Sequence, residues 1–381
     1  MAVPFSIQKS KLKLPGGIYP QKLVAWKDRI ILWGDWRNNS TMYYHLKGKW
    51  VRQETTGDVP NNGDYCRYAM TEVLDDKMFV LGQNQTEDTY IYCLDLNTLV
   101  WTSMTPNGAP PKTVARRMSS WVYNNKIYFF GGAGIFWWDK IEFIGLFCYN
   151  IAKNSWEWPN EEGDIPSPRA WHSSIITDRT VFLFGGKTED FCGLNDLHTL
   201  DMETFRWKKI HGNLFPKVMT THPSYHHLTL TKISNSAAVL FGSIENSEAY
   251  CWLMDLDNAR QQKDSSSIWT KLPHHYPRVR HAAILEPVSQ SLWVLGGSVP
   301  MPLRHHIPVK DVLKISFNLL PLKILALDRM ARTISAQDPR LQPDQIPKGL
   351  AQEIGEYKSD IPEKYICSSD NGCIVCHPAV D

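Results

Sequence analysis

The residues of this chain best suited to chemistry are three arginines and two aromatics that hold one position in five related segments. The segments are Cys66-Arg67-Tyr68-Ala69, Arg116-Arg117-Met118-Ser119-Ser120, Ala170-Trp171-His172-Ser173-Ser174, Ser224-Tyr225-His226-His227 and Val279-Arg280-His281-Ala282-Ala283. The shared column reads Arg67, Arg117, Trp171, Tyr225, Arg280. A guanidinium binds a carboxylate through two parallel hydrogen bonds, and Trp and Tyr supply rigid apolar walls with a polar edge. With Lys187, which follows Gly185-Gly186, the column suits an anionic, extended ligand such as a peptide C-terminus. The plainer reading is that each Arg pairs with a nearby Asp or Glu and has a purely structural task. No nucleophile motif, carboxylate pair or phosphate loop stands out, so no catalytic residue and no cofactor is expected. The pairs His226-His227, His274-His275 and His305-His306 are adjacent, and neighbours in a strand point to opposite faces, which prevents simple sharing of a metal. Cys367, Cys373, Cys376 and His377 have the types and number of a zinc site, although the adjacency of the last two makes the geometry awkward. The segment is therefore read as a flexible tail with free thiols, and no metal site is expected.

Composition narrows the function classes. The chain has 381 residues, and 41 Lys and Arg stand against 39 Asp and Glu, a net charge of +2. A dedicated nucleic-acid or membrane-surface binder would be expected to carry a marked basic excess. The first residues contain no apolar core of signal-peptide length, and the apolar stretch from Phe317 to Leu327 is interrupted by Lys323 and too short to span a bilayer. The expected location is cytoplasm, nucleus or both, with the 8 Cys reduced and those of the first 300 residues buried singly as small hydrophobes.

The elements that must position the column come from an internal repeat. A short apolar run closing on Gly recurs six times: 30–34, 78–82, 128–132, 181–186, 239–242 and 293–297. Between the first Gly of each, the spacings are 48, 49, 54, 57 and 54. After the first five comes a second apolar run and then a Trp: Trp50, Trp101, Trp156, Trp207 and Trp269. Turns rich in Gly, Pro, Asp and Asn separate them, as in Gly57-Asp58-Val59-Pro60 and Gly163-Asp164-Ile165-Pro166. Such runs read as strands, about four per period, and roughly 50 residues is the kelch period. Four strands in a meander, repeated radially, make a β-propeller blade. The resemblance to kelch repeats spans roughly residues 20–316. Gly-Gly is kept in repeats three, four and six and replaced by Gly-Asp, Gly-Gln and Gly-Ser elsewhere. The glycines are expected where the chain leaves a buried strand with little room for a Cβ, and the Trp side chains between neighbouring blades.

The sixth repeat ends early: its strand from Val309 to Phe317 is followed by no Trp strand. A propeller must close on itself to hide its edges, so Phe5 to Leu14 is the predicted missing strand. The reading is therefore all-β: a six-bladed kelch β-propeller over residues 1–316. A small α-helical box over 317–357 and a Cys-containing tail over 358–381 follow. With the strands lettered a to d from the axis outward, the d-to-a crossovers and b-to-c loops share one face. The Arg-aromatic column then rings the mouth of the central channel on that face.

The tail sharpens the resemblance. Leu319, Leu320, Leu322, Ile324, Leu325, Leu327, Met330 and Ile334 recur at helix spacing and need a partner surface. Pro321-Leu322-Lys323-Ile324-Leu325-Ala326-Leu327-Asp328-Arg329-Met330 resembles an elongin-binding box, with Leu322, Ala326 and Met330 at its contact positions. Ile346-Pro347-Lys348-Gly349-Leu350 resembles a cullin-2 box, with Ile346, Pro347 and Leu350 as its core. Both in order, directly after a kelch domain, are similar to the kelch domain-containing substrate receptors of cullin-2 RING ubiquitin ligases. That resemblance implies a non-catalytic adaptor that binds elongin B/C and cullin-2 through the box and reads C-terminal degrons, often ending in Gly, on the propeller. It implies that Lys187 stands at the first of two pocket arginines, while the second falls near Cys192 or Gly193 and is missing. Ser224-Tyr225-His226 stands at the family's Ser-Trp-His, Arg117 at its basic position, and Arg280 where the family has Trp. The implied site is thus Arg67, Arg117, Trp171, Lys187, Ser224, Tyr225 and Arg280, with its charge rearranged. The second functional class is a plain kelch interaction scaffold without a ligase role.

Overall fold

A computed structural model of the chain describes residues 5–15, 23–35, 38–46, 48–60, 69–83, 89–111, 118–132, 145–188, 193–210, 228–243, 249–272, 276–300 and 306–317. The expected C-terminal helices and Cys-containing tail lie outside these residues. The chain divides into two compact units, Lys9–Lys314 and Met1–Gln8 with Ile315–Asp381. The second of these contributes the extended residues 5–8 and 315–317 to the described set.

Each apolar run that closes on Gly is strand b of an antiparallel sheet. Blade one is Leu23–Trp26, Arg29–Asp35, Asn38–Leu46 and Lys49–Glu54. Blade two is Met70–Leu74, Lys77–Gln83, Thr89–Asp95 and Val100–Met104. Blade three is Ser119–Tyr123, Lys126–Phe130, Phe147–Asn150 and Ser155–Glu157. Blade four is Ser173–Thr177, Thr180–Lys187, Gly193–Asp201 and Arg206–Ile210. Blade five is Thr229–Lys232, Ala237–Ser243, Ala249–Asp255 and Trp269–Lys271. In blade six, Ala282–Leu285, Leu292–Leu295 and Asp311–Phe317 are followed outward by Phe5–Lys13 from the other end of the chain. Lys9 Nζ lies 3.2 Å from Asp311, and the Leu14 amide donates to the Lys310 carbonyl at 3.0 Å. The a strands touch one another in blade order, and that of blade six touches that of blade one, so the ring of six is closed.

Side chains alternate along each strand, and both faces of a blade pack on its neighbours, which is why strand b is apolar throughout. Ile30, Ile31, Leu32, Val181, Phe182 and Leu183 are fully buried. Every repeat Trp packs between its own blade and the preceding one. Trp101 joins Ile31, Trp33 and Met42 of blade one, and Trp207 joins Trp121, Tyr128 and Phe130 of blade three. The indole N–H groups of these two are satisfied there: Trp101 donates to Thr55 Oγ1 at 2.9 Å and Trp207 to Glu161 Oε2 at 2.6 Å.

The turns before Trp101 and Trp207 share a design. Asp95 and Asp201 accept two following amide N–H groups at 2.9–3.0 Å, and Leu99 and Phe205 enter the left-handed region at φ 61° and 50°. In blade five the equivalent Asp255 caps a short helix instead, accepting from the Asn258 amide at 2.8 Å. That helix, Leu256–Arg260, and a second, Ser265–Ile268, are inserted between strands c and d, which accounts for the late position of Trp269. The Gly-Asp-x-Pro segments do more than turn. Thr56–Gly57 and Glu162–Gly163 pair in parallel with the d strands of blades two and four, and Asp58 and Asp164 accept from the Ser103 and Lys209 amides. They cover edges that would otherwise be open.

Cys93, Cys148 and Cys251 are free and buried, and burial pushes the Cys148 and Cys251 thiols up to about 12. Among the described residues no helix is long and apolar enough to cross a membrane.

Candidate functional site

The d-to-a crossovers of blades four and six are built alike, and each presents one member of the Arg-aromatic column. In blade four the anchor is Arg169, whose residue is 0% exposed. Its five N–H donors are all used. Nη1 and Nη2 bind the two Asp196 oxygens at 2.6 and 3.0 Å, Nη1 also reaches the Gly185 carbonyl, and Nε and Nη2 hold Ser167. In blade six, Arg278 takes the same place and binds both Asp311 oxygens at 2.7 and 2.9 Å. The Arg169 pair is fork-to-fork, whereas Arg278 reaches both oxygens through Nη2 alone; in each case the carboxylate balances a guanidinium that burial would otherwise penalise. Burial works against ionisation of Asp196, but the Arg169 hydrogen bonds and charge outweigh it and hold the carboxyl below its ordinary range.

The next residue is stitched to the end of strand b. Ala170 and Lys187 exchange backbone hydrogen bonds at 3.1 and 2.8 Å, and Val279 and Ser298 at 3.0 and 2.9 Å. This close approach explains the Gly pair. A Cβ on Gly186 (φ 99°) would stand 2.7 Å from the Ala170 carbonyl oxygen, and one on Gly297 (φ 84°) 2.6 Å from that of Val279. Trp171 and Arg280 then adopt left-handed backbone, φ 60° and 55°. Such conformations cost free energy for non-glycine residues and persist only where the surroundings over-determine them. Here the clamp on the far side is a histidine. His172 Nε2 lies 2.8 Å from Ser119 Oγ and His281 Nε2 lies 2.9 Å from Thr229 Oγ1, each hydroxyl belonging to the preceding blade. Burial, aided by the Arg169 and Arg278 charges, holds both imidazoles down at about 3, so they are neutral.

Pinned on both sides, residues 171 and 280 turn outward before strand a begins at Ser173 and Ala282. Arg280 is exposed, and Trp171 is half-buried with Lys187 Nζ 5.8 Å from its ring centroid. Both residues occupy a kink two positions ahead of strand a. Trp171, Lys187 and Arg280 lie on the crossover face, with Trp171 and Lys187 in contact. Arg67, Arg117, Ser224 and Tyr225 lie outside the described residues, as do Leu322, Ala326, Met330, Ile346, Pro347 and Leu350 of the helical box.

Arg169, Arg278, Asp196 and Asp311 were not singled out from the sequence. The signal was present as Pro168-Arg169-Ala170-Trp171-His172 and Pro277-Arg278-Val279-Arg280-His281, a Pro-Arg-x-x-His unit found twice. In these two crossovers a structural ion pair of the kind foreseen for column arginines is made by Arg169 and Arg278, two positions before Trp171 and Arg280. Among the described residues no group of three or more His, Cys, Asp and Glu is placed to hold a metal ion. What the face offers is an ammonium, a guanidinium and an indole on rigid supports, an arrangement suited to binding an anionic group beside an apolar one.

A closed ring of six four-stranded blades with Gly-pair stitching and inter-blade Trp packing is a kelch β-propeller. Residues 21–242 match the KLHDC2/KLHL20/DRC7 Kelch-repeats domain, and the chain belongs to that family. It is 26% identical to Kelch domain-containing protein 2 of Bos taurus, over 78% of this chain and 80% of that protein. It is 27% identical to Kelch domain-containing protein 1 of Mus musculus, over 53% of this chain and 52% of that protein. A solved structure described as "Structure of YjhT" shares the fold at a TM-score of 0.57 and 14% identity, covering 80% of this chain and 98% of that one. A kelch-repeat protein related to Kelch domain-containing proteins 1 and 2 is consistent with a role in protein interaction.

Proposed function

We propose that this chain is a non-catalytic substrate receptor of an elongin B/C–cullin-2 RING ubiquitin ligase. Its propeller captures the C-terminal carboxylate of substrate peptides on the crossover face. The observation that carries the reading is the pair of clamped crossovers. Rigid backbone presents Lys187 against Trp171 in blade four and Arg280 at the same step of blade six. In the proposal Arg117, Ser224 and Tyr225 complete the pocket, Arg67 adds longer-range charge, and Leu322, Ala326 and Met330 dock elongin. Ile346, Pro347 and Leu350 contact cullin-2. Similarity to Kelch domain-containing proteins 1 and 2 supports the peptide-binding part of the reading.

The test has two arms. A peptide library with free and amidated C-termini is screened against the full chain and its Lys187→Ala and Arg280→Ala variants. Losing one charge-assisted partner of a carboxylate costs roughly 1.5–3 kcal/mol, about tenfold or more in affinity. Equal binding of free and amidated ends would show that an internal motif is being read. In the second arm Leu322→Ala is expected to lose elongin, while Pro347→Ala with Leu350→Ala loses cullin-2 and keeps elongin. Undiminished elongin binding by Leu322→Ala would remove the ligase assignment and leave a propeller scaffold.

A further inference from the structure

The other end of the channel, formed by the a-to-b turns, has a different chemistry. A cavity of about 520 Å³ opens there, walled by Ala25, Ile175, Leu230, Ile284 and Leu285 from four blades, with Lys232 and Lys27 at its edge. Lys232 is out of pattern. Strand pairing aligns it with Ala25, Val73, Val122, Ile176 and Leu285, since each of these faces the residue four before the first Gly of its strand b. Five blades keep that step apolar and only blade five places an ammonium there.

The carboxylates of these turns are engaged elsewhere or stand off the cavity. Asp76 binds Lys27 at 2.9 Å and also accepts from Trp26 Nε1 and Asn97. Asp178 binds Arg260 at 3.3 Å, and Glu286 accepts from the Val288 and Ser289 amides of its own turn. Asp75 is exposed and Asp28 lies beside Arg29. Among the described residues no carboxylate pairs with Lys232. A half-buried ammonium over apolar walls favours an occupant that carries a negative charge at one end and hydrocarbon at the other.

We infer that this end of the channel is a binding site for a single-chain aliphatic anion, its head on Lys232 and its chain against Ile175, Leu230, Ile284 and Leu285. The site is independent of the peptide face, which lies at the opposite mouth. Decanoate, decyl sulfate and decanol, each below its micelle concentration, are titrated calorimetrically into the full chain. Both anions are expected to bind saturably and at least roughly tenfold more tightly than decanol. Lys232→Met restores the apolar residue type of the other five blades. It is expected to melt as cooperatively as the parent chain, and to lose the preference for anions while still binding decanol. Ile284→Trp fills the cavity and is expected to bind none of the three. Lys187→Ala with Arg280→Ala is expected to leave decanoate binding unchanged. Absence of saturable anion binding, equal affinity for decanol and decanoate, or an unaltered Lys232→Met variant would each overturn the inference. So would loss of decanoate binding in the Lys187→Ala, Arg280→Ala variant, which would put the anion at the peptide face.

Discussion

Mild acid should destabilise this propeller, and among the described residues the number of protons involved follows group by group. Burial holds His172 and His281 at about 3 and His198 at about 4, against an ordinary value of 6.5. As the pH falls below 6.5 the unfolded chain therefore binds three protons that the folded chain refuses until near pH 4 and below. Stability is present above 6.5 and is lost through that window. Glu72 acts the other way. Its carboxyl, buried between blades two and three and accepting a hydrogen bond from Ser120, is pushed up from 4.5 to about 7. The folded state binds its proton first, and stability is gained between about pH 7 and 4.5. Half-buried His45 is also lowered, by burial, and adds to the sign of the other histidines. The carboxylates held below their ordinary range, such as Asp196 and Asp201, release their contribution only below about pH 4 and stay out of this window. Three protons less one leaves a net uptake of about two on unfolding from these described groups. At about 1.4 kcal/mol per proton per pH unit, that is a loss on the order of 2.7 kcal/mol between pH 6 and 5. Total stability is typically about 5–15 kcal/mol, so the loss is large. The assay is urea unfolding at a series of pH values, reading the slope of unfolding free energy against pH. Glu72→Gln should steepen the slope by about one proton, and His281→Gln should flatten it by about one. A stability that is flat or rising from pH 6.5 to 5, or a slope unmoved by Glu72→Gln, would refute the reasoning.

Asp196→Ala should leave the Arg169 guanidinium buried without its partner and cost about 3–5 kcal/mol, read as a lowered melting temperature. If the variant melts within a degree or two of the parent, the anchor is not what holds this crossover. Gly186→Ala forces a Cβ onto the Ala170 carbonyl at positive φ and should cost at least about 1–3 kcal/mol, measured by urea midpoint. Val181→Ala, in the same strand, would differ by losing packing alone. Native-state labelling with iodoacetamide followed by peptide mapping should leave Cys93, Cys148 and Cys251 unmodified, because buried thiols at high pKa carry almost no thiolate. Rapid labelling of Cys251 in the folded protein would contradict its packing inside blade five.

Much of the architecture was legible in the sequence because its causes are local or repeated. An apolar run buried on both faces, a Gly that alone tolerates the stitch behind it, and a Trp at a steady offset each leave a mark within one repeat, and six repeats make the marks additive. The expectation that 5–14 supplies the outer strand of the last blade rested on a global rule instead, that a ring may not end in an open edge. What the sequence did not reveal was which arginines are buried. Arg169 and Arg278 sit two positions before Trp171 and Arg280, and nothing about an Arg in isolation tells an anchor from a presented charge. The choice is made by Asp196 and Asp311, which are 27 and 33 residues away and reach the crossover only once strand c has been laid beside strand b. The same holds for the left-handed kinks, which no local preference of Trp or Arg favours and which the paired clamps impose. The lone ammonium of Lys232 in an apolar ring became visible only when strand pairing set six blades in register. Composition and periodicity determined that this chain is a kelch propeller. The tertiary structure decided which of its charges are sealed inside and which are presented at the surface, because burial and pairing are properties of chain segments brought together from a distance.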